Sequence, residues 1–190
     1  MRFVFYLLMM IAVALTVGFG LSYYALTDGR LFGAAQVGPW TAWPDVGASA
    51  PNPYTRGHLA REAALQLGQA EGLQFTATTD SDGQPLTRDC SYRIDGKTPL
   101  ATFWTLVALD AQGVNIAASD AEPAMRSTGL ARANDGSVDI SIGTTLQPGN
   151  WLELVGEGPF ALELTLYDTA VFSGFSSDAS MPAILRGACS

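Results

Sequence analysis

Apolar side chains fill almost every position from Phe3 to Leu26, FVFYLLMMIAVALTVGFGLSYYAL, and no charge interrupts them. The run exceeds the ~20 residues that carry a helix across a bilayer. It predicts an N-terminal transmembrane helix over residues 1–26. A cleavable signal peptide is the rival reading, because Arg2 gives a positive start and Gly18 and Gly20 are small enough for a processing site. Signal peptides, however, have an apolar region of only ~7 to 15 residues that ends in an A-x-A-like step. The pattern therefore favours an uncleaved anchor, with Tyr23 and Tyr24 at the interface where amphipathic rings prefer to sit.

Behind this run, residues 27–52 are rich in Gly, Ala and Pro with no sustained period and read as a linker. Within it, Trp40 and Trp43 are expected to pack on the domain that follows. In NPYTRGHLAREAALQLG, Asn52 suits a cap, Pro53 the first helical position and Gly68 the stop. Leu59, Ala60, Ala63, Ala64 and Leu67 recur at spacings of three and four, which predicts one amphipathic helix.

From Leu73 the period changes to two. Leu73, Phe75 and Ala77 alternate with Gln74, Thr76 and Thr78, and Leu86, Cys90, Tyr92 and Ile94 alternate with Thr87, Asp89, Ser91 and Arg93. LATFWTLVAL is apolar on both faces, as in a strand covered on each side. VNIAAS, VDISIG, WLEL and FALELTLY follow, separated by DAQG, NDGS, QPGN and GEGP. Short strands broken by Gly, Asp and Pro turns predict a mainly β fold. The expected architecture is a β-sandwich or jelly-roll-like domain over residues 53–190, with one helix leading in.

Charge narrows the partners. The chain carries 18 acidic against 10 basic residues, a net charge of -8, and its basic residues are spread singly. Nucleic acid is excluded as a partner, since phosphate neutralisation needs clustered Lys and Arg. Anionic lipid headgroups are disfavoured on the same count.

The two cysteines, Cys90 and Cys189, admit three readings: buried thiols, a metal site or a disulfide. A zinc site usually takes four Cys, His or carboxylate ligands. The chain offers two Cys and one His, and no metal is expected. Disulfides persist outside the cytoplasm, where a domain behind a membrane span is free to lie. Cys189 is one residue from the end, and a chain end frays unless tied down. Closing a loop of this size removes unfolded-state entropy worth ~4 to 5 kcal/mol in the chain-entropy model. A Cys90–Cys189 bridge is therefore expected. It places the N-terminus in the cytoplasm and the domain in the periplasm of a single-pass protein of the bacterial inner membrane.

Read in order, NPYTRGHLAREA, AEGLQFTATTDSDGQPL, CSYRIDG, FWTLVALDAQG, NDGSVDISIG, NWLEL and FALELTLYD resemble the bacterial family known as domain of unknown function 1214, over about residues 38–188. The resemblance implies a β-sandwich-type fold and transfers no catalytic residue. In larger relatives this domain follows another β-rich domain of unknown function, so the chain resembles a short, membrane-anchored form.

His58 is the only histidine, so any Ser-His-Asp or Cys-His device has to use it. It lies one turn before Glu62 on the expected helix, and no GxSxG elbow supplies a nucleophile. Asp80 and Asp82 in DSDG lack the later ligands and glycine spacing of a calcium loop and read as a hairpin turn. Arg56 and Arg61 are candidates for gripping an acidic ligand through a guanidinium fork, against simple pairing with Glu62, Glu71 or Asp89. Trp104, with Trp151, Phe103 and Tyr92, is a candidate pocket wall and in the first instance core. The candidate ligand-binding set is thus Arg56, His58, Arg61 and Trp104, and no cofactor is expected. The expected function is a non-catalytic envelope domain that binds a small molecule, glycan, lipid or partner protein. A hydrolase of small or amphiphilic molecules and a structural subunit are the alternatives.

Overall fold

Alternation with period two gives each strand one apolar row, and two sheets bury those rows against one another. The computed structural model describes residues 2–27, 33–62, 67–68, 70–118, 121–169 and 181–189. The elements in chain order are α1 (Arg2–Thr27), β1 (Ala35–Val37), β2 (Trp40–Ala42), α2 (Pro53–Glu62), β3 (Gly72–Ala77), β4 (Cys90–Gly96), β5 (Ala101–Leu109), β6 (Met125–Arg126), β7 (Val138–Gly143), β8 (Asn150–Glu153), β9 (Ala161–Thr169) and β10 (Ala183–Cys189). One sheet runs β1-β2-β3-β9-β5-β6 and the other β10-β4-β7-β8. The fold is mainly β, as the sequence pattern predicts.

The core lies between the sheets. Phe75, Trp104, Leu106, Leu162, Leu164 and Leu166 from the first sheet meet Tyr92, Ile94, Ile140, Ile142, Leu152 and Ile184 from the second, all buried. Fully burying one such aliphatic side chain stabilises the fold by about 1.5–3 kcal/mol. The expected register of the second strand holds, with Cys90, Tyr92 and Ile94 inward.

Among the described residues, all strand pairings but one are antiparallel. β7 and β8 run parallel, with Ile140 opposite Asn150 and Ile142 opposite Leu152. Only residues 144–149 lie between the two strands. So brief a return suffices because β8 is four residues long, which leaves about 13 Å to retrace at 3.3 Å per residue. Asn150 fastens the start of β8: its Nδ2 donates to the carbonyls of Ala131 and Asp139, both at 2.8 Å, and its Oδ1 accepts from the amide of Ala131.

The hairpins after β3 and β5 share one construction. Asp80 Oδ1 accepts the amides of Asp82 and Gln84, and Asp110 Oδ1 accepts those of Gln112 and Val114. Gly83 and Gly113 complete these turns at φ +82° and +77°, a region that side-chain-bearing residues avoid. The DSDG segment is therefore a turn.

Several expectations need correction. The segment read as a linker, 27–52, contains β1 and β2, and β2 pairs with β3 through Thr41–Thr76 and Ala42–Phe75. Strands of three residues joined by a glycine turn are too short to show an alternation. Asn52 does cap α2, its Oδ1 accepting the Tyr54 amide at 2.9 Å. The buried position of this helix is Thr55 and Ala60 is exposed, whereas Ala63 and Ala64 lie outside the described residues. VNIAAS is not a strand in its described residues 114–118, because Asn115 turns the chain by accepting the Ala117 amide and donating to Pro123 O. The two-residue β6 pairs with β5, with Thr105 opposite Arg126 and Leu106 opposite Met125. The outward face of β5 is half-buried rather than fully covered.

Upstream, α1 is exposed almost throughout and is long and apolar enough to cross a membrane. It is a candidate membrane span by length and composition, a test that a signal sequence also passes. Its C-terminal end touches the sandwich domain. Ala25 is 3% exposed, and the Arg61 guanidinium of α2 lies 6.0 Å from the centre of the Tyr23 ring.

Candidate functional site

Two features carry chemistry: a tightly fastened C-terminal strand and an open groove on the neighbouring face. The strand comes first because its chemistry is fully engaged. Cys90 and Cys189 form a disulfide between β4 and β10, and the same strand carries Arg186 back over β4. Arg186 Nε donates to Asp80 Oδ2 at 2.7 Å, and its guanidinium covers the Tyr92 ring at 5.4 Å and donates to the Pro85 carbonyl. The Tyr92 hydroxyl in turn accepts the Thr87 amide at 2.9 Å.

Asp80 is 2% exposed. Burial pushes its carboxyl pKa up. The hydrogen bond from Arg186, the amides of Gln84 and Asp82 and the guanidinium charge outweigh that push and hold the pKa below the ordinary carboxylate value. With both carboxylate oxygens of Asp80 engaged, this cluster serves as a fastening.

The groove opens where the two sheets do not close on each other, between β6 and β8. A hollow of about 560 Å³ is lined there by Glu122, Arg126, Leu130, Asn150, Trp151 and Glu153, among others. Gly149 and Asn150 also line a second hollow of about 450 Å³. Arg93, Ser141 and Gln147 join that one to a third, of about 390 Å³, over the outer face of the four-stranded sheet. One row crosses this face: in register, Leu185 is opposite Arg93, Arg93 opposite Ser141, and Ser141 opposite Trp151, so the small Ser141 lies between two large side chains.

Charges along the trough balance locally. Arg126 faces Glu122 at 3.8 Å, and Arg93 faces Asp95 at 3.1 Å and Asp139 at 3.6 Å. The Trp151 indole N–H is buried and has no hydrogen-bond acceptor among the described residues. Leaving such a donor unmatched costs about 1–3 kcal/mol, and Trp151 is one of the residues that line the groove.

One further acid stands out. Glu163 lies on the outer face of β9, opposite Thr76 on β3 and Val107 on β5. Desolvation raises its pKa above the usual carboxylate value.

The residues singled out from sequence are not gathered in the groove. Arg56, His58 and Arg61 lie on α2, with the His58 ring stacked on Trp43 at 4.3 Å and Arg61 over Tyr23. The carboxylate expected opposite His58, that of Glu62, lies outside the described side chains. Trp104 is 3% exposed in the core of β5, with Arg132 6.0 Å from its ring centre. Trp151 and Phe103, read as core, face outward: Trp151 is half-buried in the groove and Phe103 packs on Tyr167. The signal for the groove was the NW pair of QPGNWLEL, since Asn holds the strand start and Trp occupies the outward register. Those roles follow only once β8 is known to be an edge.

Together these features define a disulfide-closed β-sandwich domain behind an apolar helix, with an open trough at its unclosed edge. The chain belongs to the family described as Protein of unknown function (DUF1214), whose profile matches residues 71–171. Among solved structures it is similar to the VPA0106 protein from Vibrio parahaemolyticus, with 20% identity and a TM-score of 0.57, covering 72% of this chain and 36% of that one. An uncharacterised protein from Burkholderia cenocepacia matches with 17% identity and a TM-score of 0.43, covering 86% of this chain and 38% of that one. The chain thus spans little more than a third of either protein, and the likeness to the first concerns the fold alone. No curated protein matches the chain.

Proposed function

We propose that the protein is a membrane-tethered, non-catalytic binding domain of the bacterial envelope. In this reading α1 is retained as a single-pass anchor with its N-terminus in the cytoplasm, and the sandwich stands in the periplasm. Support for the compartment comes from the Cys90–Cys189 disulfide, a bond that persists in oxidising surroundings.

The observation that carries the binding role is the run of adjoining hollows from the outer face of the four-stranded sheet to Trp151, whose buried indole N–H has no hydrogen-bond partner among the described residues. Its shape suits an extended, hydrogen-bonding ligand lying along β8. Thermal denaturation of the full chain in detergent, against panels of oligosaccharides and extended peptides, tests this. A ligand at a hundredfold excess over its Kd adds about 2.7 kcal/mol by mass action. Trp151→Phe keeps the ring, removes the donor and is expected to weaken that shift. No shift in either panel overturns the binding role.

The hydrolase reading keeps one foothold, the raised pKa of Glu163. It requires turnover of small esters or glycosides that Glu163→Gln abolishes.

A further inference from the structure

We propose that α2 lies on the bilayer surface and that Arg56 and Arg61 bind the phosphates of lipid headgroups, which pins the sandwich against the membrane. The inference rests on the reading of α1 as a span. Phe3 to Tyr23 rises about 30 Å at 1.5 Å per residue, which equals the ~30 Å hydrocarbon thickness of a bilayer. With Phe3 at one boundary, Tyr23 therefore stands at the other, at the level where interfacial rings gather. Arg61 is held over that ring at 6.0 Å, so one end of α2 is fixed at headgroup depth.

The faces of α2 agree with this placement. Thr55 is buried, and His58, stacked on Trp43, and Leu59 are half-buried, while Tyr54, Arg56, Ala60 and Arg61 are exposed. At 3.6 residues per turn Ala60 falls in the middle of the exposed face, with Arg56 on one side and Arg61 on the other. The helix thus turns both arginines outward from the domain, where their long stems let the guanidiniums reach the phosphates. The charge is also inverted locally. The chain has 18 acidic and 10 basic residues, yet α2, the helix that touches the span, carries Arg56 and Arg61 against Glu62 alone. Guanidinium forks match phosphate oxygens in pairs. Basic residues that are scattered along the sequence thus meet at the one level where lipid phosphate is available.

The test uses the full chain, with Ala60→Cys carrying a fluorophore and the native disulfide intact. The chain is reconstituted in vesicles of phosphatidylcholine alone or of an equimolar mixture with phosphatidylglycerol, each containing a headgroup-level quencher lipid. Strong quenching is expected, greater in the anionic vesicles. Near an anionic surface each basic residue contributes about 1 kcal/mol, or about fivefold. The Arg56→Gln/Arg61→Gln double variant is therefore expected to lower the ratio of docked to undocked forms about twenty-fivefold, and the double Lys variant to restore most of it. Quenching that ignores the glutamine variant overturns the phosphate contact. Absence of quenching in a chain that resists alkaline carbonate extraction overturns the docking and leaves the anchor standing. A chain released by carbonate overturns the span, and the docking with it.

Discussion

Arg186 on β10 donates through Nε to the buried carboxylate of Asp80 at 2.7 Å, across a separation of 106 positions. The pair ties β10 to the hairpin that follows β3. Because the folded-state pKa of Asp80 lies below its unfolded value, the stabilisation is present above the unfolded pKa and is lost as pH falls through the folded one. Asp80→Asn is expected to lower Tm at pH 7. The gap from the parent should close as the solution is acidified below the ordinary Asp value of 3.8. Thermal melts across that range check it, and a gap independent of pH counts against the charge as its source.

The disulfide closes the same edge a few residues further on. Reduction, or Cys189→Ser, is expected to cost about 2–5 kcal/mol and to speed amide exchange in β10 before the rest of the sheet. Cys90 Sγ also accepts from Arg186 at 3.6 Å, so the effects of Cys189→Ser and Asp80→Asn are expected not to add. Side chains that share one network couple in this way. A double-mutant cycle on chemical denaturation midpoints measures that coupling.

Glu163 behaves in the opposite sense to Asp80. Its pKa is raised by desolvation, so the folded state holds its proton more tightly and stability falls as pH rises from the unperturbed value of 4.5 through the raised one. Glu163→Gln is expected to raise Tm at neutral pH and to give no gain below pH 4.5. A variant less stable than the parent at pH 7 would refute this account.

Trp40 tests whether the segment before α2 belongs to the sandwich. It is fully buried and its Nε1 donates to Pro182 O at 2.8 Å. Trp40→Phe leaves that carbonyl without its partner and is expected to cost about 1–3 kcal/mol. In a true linker the same change is silent in an unfolding curve.

The strands with a full alternation were legible because burial on one face leaves a period-two record, as Leu162, Leu164 and Leu166 do on β9. The bridge between Cys90 and Cys189 was legible from chemistry, since two thiols in a chain with an apolar leader have few other uses. What sequence hid were pieces whose position is set by a distant partner. β1 and β2 are too short for a pattern, and β10 is defined by its ladder to β4. Trp151 looks like core in any one-dimensional reading, and only the end of the sheet at β8 turns it outward. The Arg56 and Arg61 candidates illustrate the converse. Their residue type is plain in the sequence, but the setting of Arg61 depends on Tyr23 in a different helix.

The late arrival of β10 shapes how the chain must mature. Trp40 awaits Pro182, 142 positions later, and Asp80 awaits Arg186. While the ribosome is still making the intervening stretch, both groups are unpaired, and β4 presents a bare margin to any neighbouring polypeptide. A nascent molecule of this kind calls for shielding by a chaperone until its closing segment emerges, and truncation ahead of residue 182 should yield aggregates instead of a smaller soluble fragment.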